Sequence, residues 1–212
     1  MITAVLPQRL IKMPTTEMKS KLTCIFGGTF DPIHKGHLHL LHQLEENTPY
    51  ERVIVIPARI SNFKQDTHPT AAMDRYNMVK IALNEYSTKY PSRLELAVSD
   101  IEIKRGGVSY TYDTVIDVME KWPITGRLGI LMGDDLLEGL DRWYRAEELK
   151  ELVDFVCFTR DGVEVPEREG YHIRMINAPA YQASSTDVRG GDLSQLTEGV
   201  RAYVDAHGLY RA

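Results

Sequence analysis

The segment Leu22-Thr-Cys-Ile-Phe-Gly-Gly-Thr-Phe-Asp-Pro-Ile-His-Lys-Gly-His37 decides the fold of this chain. Its first five residues form a short apolar run that predicts a buried strand, and the residues after His37 have the periodicity of a helix. Two glycines after a strand let backbone N–H groups approach a ligand closely. The helix start beyond them supplies free N–H donors and positive potential. The segment therefore predicts a strand–loop–helix unit that binds phosphate.

Short β-branched and aromatic runs alternate with segments of helical periodicity along the rest of the chain. Strands that alternate with helices indicate right-handed βαβ units. We therefore predict a Rossmann-like α/β fold in a single domain, with an open parallel sheet and helices on both faces. Ligands bind such sheets at the carboxyl ends of the strands, where the strand order reverses. The predicted strands are Thr23–Phe26, Arg52–Ile56, Arg93–Val98, Arg127–Met132, Asp154–Phe158 and His172–Ile176.

The composition excludes several classes of protein. Of the 212 residues, 43% are hydrophobic and 26% are charged, as is typical of a globular domain. We assign that domain to residues 21–212 and interpret residues 1–20 as an N-terminal extension. The net charge of −5 argues against a nucleic acid polymer as partner, and no apolar run approaches the ~18 residues that span a membrane. Cys24 and Cys157 lie in apolar runs, which favours buried thiols and a cytoplasmic protein, and a homo-oligomer is compatible with the sequence.

Four of the seven histidines fall within nine positions, from His34 to His42. His34 and His37 are three residues apart at the predicted helix start, so both rings can point the same way. The alternative is a metal site, because the residues from His37 to His42 resemble the H-x-H-x-D-H of binuclear metallohydrolases. However, Leu41 stands where the aspartate ligand should be, and His37 and His39 would point about 200° apart on a helix. We therefore predict that His34 and His37 bind phosphate and that the protein supplies no metal site.

The stretch Gly27–His37 is similar to the GGTFDPxHxGH signature of the nucleotidylyltransferase superfamily, whose HxGH element binds a triphosphate. Further segments resemble bacterial nicotinate-nucleotide adenylyltransferases, and the resemblance extends over about residues 22–210. Those segments are Ser109–Thr114 (SYTxDT), Leu131–Leu136 with Trp143-Tyr144 (GxDxL…WY), Ala183–Arg189 (ISSTxIR) and Val200–Tyr210 (VxxYIxxxxLY).

The resemblance implies adenylyl transfer from ATP to nicotinate mononucleotide, giving nicotinate adenine dinucleotide and pyrophosphate in NAD biosynthesis. It also implies Mg²⁺, which we expect the phosphates and water to hold. The implied catalytic residues are His34, His37 and Arg189. The implied ATP-binding residues are Gly28, Thr29, Phe30, His34, His37, Gly133, Asp135, Ser185, Thr186 and Arg189. The implied nicotinate-nucleotide-binding residues are Lys64, Tyr110, Thr111, Trp143, Tyr144 and Arg160.

Several of these residues have a physical reason for their role. A free N–H where Thr111 opens a helix favours a carboxylate, and hence nicotinate over nicotinamide. Trp143 offers a flat face for the pyridine ring. Tyr110 either flanks that ring or packs in the core. Asp135 either accepts hydrogen bonds from ribose or caps the helix Leu136–Leu140. We expect Ser185 or Thr186 to cap the next helix, and Arg189 to fork onto phosphate oxygens. These side chains bind and orient, and none forms a base–nucleophile pair.

The sequence departs from the family where the acceptor phosphate should bind. The family's P-P-H-K is Ser61-Asn-Phe-Lys64 here, so Phe63 replaces a histidine and cannot donate a hydrogen bond. Arg59 or His68 could compensate. The family's R-P-G is Arg160-Asp-Gly162, which places a carboxylate near the phosphate. These departures concern the affinity for the acceptor more than the type of reaction. The alternative functions are transfer to nicotinamide mononucleotide or another phosphate acceptor, and a nucleotide sensor without catalysis.

Overall fold

The computed structural model describes residues 19–62, 69–159, 168–179 and 181–210. Six parallel strands form one sheet in the order β3-β2-β1-β4-β5-β6. The strands are β1 Thr23–Gly28, β2 Arg52–Pro57, β3 Glu95–Val98, β4 Leu128–Gly133, β5 Val153–Thr159 and β6 Ile173–Asn177. The helices are α1 Lys35–Asn47, α2 Ala72–Lys89, α3 Ile101–Arg105, α4 Thr111–Lys121, α5 Ala146–Leu152, α6 Ser185–Arg189 and α7 Glu198–His207. Two 3₁₀ helices are Asp134–Arg142 and Leu193–Gln195. The Rossmann-like α/β fold and all six predicted strands are confirmed.

The start of β3 differs from the prediction by two residues. Arg93 lies before the strand because its side chain anchors a loop: the guanidinium donates to the carbonyls of Tyr50 and Thr48, each at 2.6 Å. Its backbone N–H donates to the carboxylate of Glu45 at 2.6 Å. These contacts hold Arg93 on the end of α1, so ladder pairing with β2 begins only at Glu95.

Alternate strand residues point to opposite faces of the sheet, and each face is covered by helices. On one face, Cys24 and Phe26 of β1 pack in a core cluster with residues of α1, α2 and α7. On the other face, Ile25 packs with residues of α3, α4, α5 and the first 3₁₀ helix. A parallel sheet buried on both faces explains why the strands are almost uniformly apolar. No helix of the described residues is long and apolar enough to cross a membrane.

The strand order reverses between β1 and β4. The chain moves from β1 outward to β2 and β3, and then returns to place β4 on the free side of β1. The loops that leave the carboxyl ends of β1 and β4 therefore diverge and leave a crevice between them. These loops begin at Gly28 and Gly133, which are two of the residues expected to bind ATP.

Candidate active site

The loop after β1 is packed against an aromatic ring, that of Phe30. Phe30 has a left-handed backbone, with φ of 48°. Its ring lies edge-on to Phe26 at 5.2 Å and to His37 at 5.0 Å between centroids. A Cβ at Gly28 would come within 2.9 Å of the Phe30 ring, so only glycine fits there without a shift. The Phe30 ring thus packs against Gly28, Phe26 and His37 at the switch point of the sheet.

His34 and His37 lie together at the N-terminus of α1. Their ring centroids are 3.8 Å apart and the ring planes are inclined by 32°. The backbone N–H of His34, the N-cap residue, donates to Nδ1 of His37 at 3.1 Å. A Cβ at Gly36 would come within 3.0 Å of the His34 ring, so the glycine between them allows this approach. The two rings share one side of the helix start, as the spacing predicted.

His34 is neutral at physiological pH. Its side chain is largely buried, and burial lowers the pKa of the imidazole to about 4, although the negative charge of Asp187 opposes that shift. A neutral ring donates through one nitrogen and accepts through the other. His34 can therefore donate one hydrogen bond to a phosphate oxygen as a neutral imidazole.

Helix α6 packs against the same loop. The hydroxyl of Ser185 donates to the carbonyl of Pro32 at 2.9 Å. The guanidinium of Arg189 donates to the carbonyl of Asp31 at 2.7 Å and to the hydroxyl of Thr186 at 3.2 Å. Arg189 thus lies beside the loop that carries the two histidines, although its residue number is far from theirs.

The residue that caps α6 differs from the prediction. Ser184, rather than Ser185 or Thr186, is the N-cap, and its side chain accepts from the backbone N–H of Asp187 at 3.0 Å. Ser184 is the last residue with extended backbone, at φ −140° and ψ 147°, whereas Ser185 is already helical. The hydroxyl of Ser185 is therefore available to bind the loop at Pro32 instead.

The loop after β4 places Asp135 next to a glycine. A Cβ at Gly133 would lie 2.4 Å from a carboxylate oxygen of Asp135, so the Asp135 side chain would have to turn away from any larger residue there. The helix that follows is a 3₁₀ helix with Gly133 as its N-cap residue, so the capping role considered for Asp135 is wrong. Asp135 is exposed, and its role toward ribose stays a prediction.

The start of α4 is fixed to the loop after β2. Thr111 is the first residue of α4, and Tyr110 is its N-cap with extended backbone. The backbone N–H of Ser109 donates to the carbonyl of Ile60 at 2.8 Å, and the backbone N–H of Arg59 donates to the hydroxyl of Ser109 at 3.2 Å. The backbone N–H of Thr111, which is the predicted donor to the nicotinate carboxylate, is thereby tied to the loop after β2. In sequence, that loop leads to the predicted acceptor-phosphate residues.

The pair Trp143 and Tyr144 divides between core and surface. Trp143 is only 9% exposed and packs edge-on against Phe155, with 6.1 Å between centroids. Tyr144 is 49% exposed, and its ring lies 4.8 Å from that of Tyr110. The ring that this structure presents to solvent is therefore that of the tyrosine. The contact of Trp143 with a pyridine ring stays a prediction.

The predicted acceptor-phosphate residues lie outside the described residues. This applies to Lys64 and Arg160, and equally to the departures from the family at Phe63 and Asp161. Their roles therefore stay predictions.

The cytidylyltransferase-like family matches residues 25–191, a span that includes the loop after β1 and all of α6. The chain belongs to the cytidylyltransferase-like family. A probable nicotinate-nucleotide adenylyltransferase of Dehalococcoides mccartyi is 36% identical over 208 residues, which cover 91% of this chain and 98% of the relative. The nicotinate-nucleotide adenylyltransferase of Bacillus subtilis is 33% identical over 197 residues, covering 89% of this chain and 97% of the relative.

Solved structures share the fold of this cytidylyltransferase-like protein. The nicotinic acid mononucleotide adenylyltransferase of Plasmodium falciparum, solved in complex with NaAD, has a TM-score of 0.71 at 23% identity. The match covers 90% of this chain and 97% of that chain. A putative nicotinate-nucleotide adenylyltransferase from Vibrio parahaemolyticus has a TM-score of 0.63 at 21% identity, covering 90% of this chain and 96% of that one.

Two residues of this cytidylyltransferase-like protein support the loop after β1 but carried no role in the sequence prediction. Arg75 of α2 is 1% exposed and donates to the backbone carbonyls of Thr29 at 2.6 Å and Thr70 at 2.8 Å. Tyr210, after α7, donates to the carboxylate of Asp31 at 2.7 Å. An arginine within a predicted helix resembles a solvent-facing charge, so the sequence offers no signal for Arg75. Tyr210 belongs to a segment that resembles the family, but its contact is visible only in the fold.

Proposed function

We propose that this protein transfers the adenylyl group of ATP to nicotinate mononucleotide, releasing pyrophosphate and forming nicotinate adenine dinucleotide in NAD biosynthesis. The observation that carries the proposal is the pairing of His34 and His37, with rings 3.8 Å apart, at a helix start on the switch point of the sheet. Membership of the cytidylyltransferase-like family, and relatives named nicotinate-nucleotide adenylyltransferase, support the choice of reaction. The two free thiols are buried, in keeping with a reducing cytoplasm.

The chemistry requires donors and cations rather than a base. The 5′-phosphate of the acceptor has a second pKa near 6, so it is already an anionic nucleophile at pH 7. It attacks the α-phosphorus of ATP, and the bond from that phosphorus to the bridging oxygen breaks as pyrophosphate leaves. The task of the protein is to hold the two polyanions in line and to stabilise charge on the transferred group.

Three side chains at or beside the loop after β1 have a part in that task. His37 donates from Nε2 to an oxygen of the transferred or leaving phosphate, because its Nδ1 already accepts from the backbone N–H of His34. His34 donates as a neutral imidazole. Arg189 adds positive charge beside the loop, where the leaving pyrophosphate must be held.

The acceptor is placed by α4 and the residues near Tyr144. The N–H of Thr111 at the helix start attracts the nicotinate carboxylate. Tyr110 and Tyr144 offer aromatic rings beside that position. Lys64 and Arg160 hold the acceptor phosphate in this proposal, on the strength of the resemblance alone.

Mg²⁺ accompanies ATP in this proposal. Among residues 19–62, 69–159, 168–179 and 181–210, no three His, Cys, Asp or Glu side chains group so as to hold a metal ion. In this proposal, phosphate oxygens and water would supply most of the ligands, which suits an ion that keeps several waters. When bound, Mg²⁺ would neutralise part of the phosphate charge.

The test is to incubate the protein with ATP, Mg²⁺ and nicotinate mononucleotide, and to measure both pyrophosphate and nicotinate adenine dinucleotide. A parallel reaction with nicotinamide mononucleotide tests the alternative acceptor, and His37→Ala controls for a contaminating activity. Turnover with the nicotinate substrate that His37→Ala abolishes supports the proposal. ATP binding without pyrophosphate release would instead indicate a sensor, and turnover only with the amide would indicate the other acceptor.

A further inference from the structure

The nucleotide loop, which we define as residues 29–32, accepts hydrogen bonds from a partly buried polar network that includes Arg75 and Tyr210. We propose that Tyr210 is a positioning residue for ATP: its hydroxyl fixes Asp31 and thereby keeps the nucleotide loop in the shape that binds the triphosphate. The proposal deepens the function above and rests on it. Nothing in the motif that forms this loop assigns such a role to a residue after the last helix.

The contact between Tyr210 and Asp31 is partly buried and short. The Asp31 side chain belongs to a residue only 7% exposed, and one carboxylate oxygen accepts from the Tyr210 hydroxyl at 2.7 Å and from the backbone N–H of Thr70 at 3.3 Å. A buried carboxylate is costly unless donors satisfy it. Loss of the phenolic donor therefore removes a large part of what holds this side chain in place.

The backbone brings Tyr210 to the loop by a defined turn. α7 ends at His207 and is capped by Gly208, which has a left-handed backbone, and the N–H of Leu209 donates back to the carbonyl of Val204 at 3.0 Å. Tyr210 itself has φ of 54°, a conformation that is uncommon for a residue with a side chain. A backbone in that region is kept only where surrounding contacts determine it, and the hydrogen bond to Asp31 is such a contact.

Arg75 completes the network with a positive charge. Its buried guanidinium donates to the carbonyl of Thr29, in the nucleotide loop, and to the carbonyl of Thr70, whose own N–H donates to Asp31. The charge of Asp31 in turn favours the charged form of Arg75, against the burial that lowers its pKa. Because a peptide group is planar, fixing the carbonyl of Thr29 also fixes the N–H of Phe30. The network thus sets the direction of a loop N–H that the motif supplies for phosphate.

Burial raises the pKa of the Tyr210 phenol above its usual value. The hydroxyl therefore remains a donor throughout the pH range of an assay. Its contribution to ATP binding should not vary with pH near neutrality.

The experiment compares Tyr210→Phe with Tyr203→Phe. Tyr203, on α7, provides a matched control: its hydroxyl donates to the carboxylate of Asp74 on α2 at 2.8 Å and accepts from Asn77 at 3.2 Å. Each variant removes one tyrosine hydroxyl that donates to a carboxylate. Only the hydroxyl of Tyr210 contacts the nucleotide loop. We expect Tyr210→Phe to raise the KM for ATP about tenfold, with the KM for nicotinate mononucleotide unchanged. Tyr203→Phe should keep both wild-type values.

The melting temperature separates positioning from general stability. We expect the two variants to lower Tm by similar amounts, so that only the KM for ATP distinguishes them. A KM for ATP that is unchanged in Tyr210→Phe, or raised equally in Tyr203→Phe, would overturn the proposal. As a further check, Asp31→Ala combined with Tyr210→Phe should weaken ATP no more than Asp31→Ala alone, since the two side chains act through one contact.

Failure of the proposed function gives a different result. If the wild-type protein releases no pyrophosphate with either acceptor, the proposed reaction is wrong. Calorimetric titration with a non-hydrolysable ATP analogue then still tests the loop. Binding by the wild type that Tyr210→Phe weakens about tenfold, and Tyr203→Phe leaves intact, supports the positioning role. Equal binding by all three proteins overturns it.

Discussion

The backbone N–H of His34 donates a hydrogen bond to Nδ1 of His37, with 3.1 Å between the two nitrogens. One ring nitrogen of a neutral histidine carries the proton and the other accepts. Because Nδ1 accepts, the proton of a neutral His37 lies on Nε2. The N-terminus of α1 therefore sets the tautomer of the ring that is expected to contact phosphate, and the same contact satisfies a donor at the start of the helix.

Replacement of His37 should separate the effect of its contact with the backbone N–H of His34 from the effect of its proposed contact with phosphate. His37→Ala loses both and should lower kcat/KM by about 10² or more, as expected for one lost transition-state donor. Asparagine can place an acceptor near the position of Nδ1 but offers no donor at the position of Nε2. We therefore expect His37→Asn to recover most of the Tm that His37→Ala loses while its activity stays low. Recovery of activity together with Tm would show that His37 acts on the helix and not on phosphate.

His34 should make stability depend on pH below neutrality. The unfolded chain binds a proton at this residue near pH 6.5, whereas burial lowers the folded pKa to about 4. The unfolded state therefore binds more protons between these values, so the contribution is complete above pH 6.5 and is lost as pH falls toward 4. The loss should be on the order of 2 kcal/mol at pH 5.

The measurement for His34 is the free energy of unfolding in urea at pH 7 and pH 5, for the wild type and for His34→Gln. Other carboxylates and histidines contribute equally to both proteins, so their effect cancels in the difference. We expect the wild type to lose more stability than the variant between these pH values. Parallel pH profiles would contradict a buried, neutral His34.

Gly36→Ala should lower activity while it favours the helix. The new Cβ would lie 3.0 Å from the His34 ring and 3.3 Å from the Cβ of Ala183, so the ring must move. Displacement of a catalytic group should cost about tenfold or more in kcat/KM. Alanine is the better helix former by roughly 0.5–1 kcal/mol, which offsets the clash in the melting temperature. A fall in kcat/KM without a matching fall in Tm is the expected result.

Gly139→Ala is the control for that substitution. Gly139 lies in the first 3₁₀ helix, and its added Cβ would meet only the end of the Arg142 side chain, at 3.5 Å. This variant should retain wild-type kcat/KM. If both alanine variants lose activity equally, the loss at Gly36 does not come from contact with His34.

The strands and the loop after β1 could be predicted because their signals are local. A run of apolar β-branched residues fixes a strand by itself, and Gly27–His37 is continuous in sequence. Contacts that join distant segments carry no such signal. Tyr210 meets Asp31 from 179 positions away, so only the docking of α7 on α2 brings them together.

The exposure of neighbouring aromatic residues also could not be predicted. Trp143 and Tyr144 are adjacent in sequence, and either ring could have faced the crevice. Trp143 ends the 3₁₀ helix with extended backbone and turns its ring onto Phe155, which leaves the ring of Tyr144 at the surface. The sequence predicted an ordinary helix over Leu136–Leu140, whereas the structure has a 3₁₀ helix over Asp134–Arg142.

Thr111→Pro should test the preference for nicotinate at a single N–H. Thr111 is the first residue of α4, where proline fits a helix and the loss of the N–H breaks no intrahelical hydrogen bond. Tyr110 has φ of −105° and ψ of 137°, the extended conformation that a residue before proline adopts. We therefore expect α4 to remain intact and the Tm to change little. Without its donor, the site should bind nicotinate mononucleotide about tenfold more weakly, as expected for a lost hydrogen bond to a charged group.

Thr111→Ala is the matched control, because it removes the side chain and keeps the N–H. It should retain the wild-type KM for nicotinate mononucleotide. The decisive measurement is the ratio of kcat/KM for the nicotinate and nicotinamide substrates in both variants. Proline should lower that ratio, since the N–H attracts a carboxylate more strongly than a neutral amide, and the KM for ATP should not change. An equal loss for both acceptors would show that α4 binds the mononucleotide without reading its carboxylate.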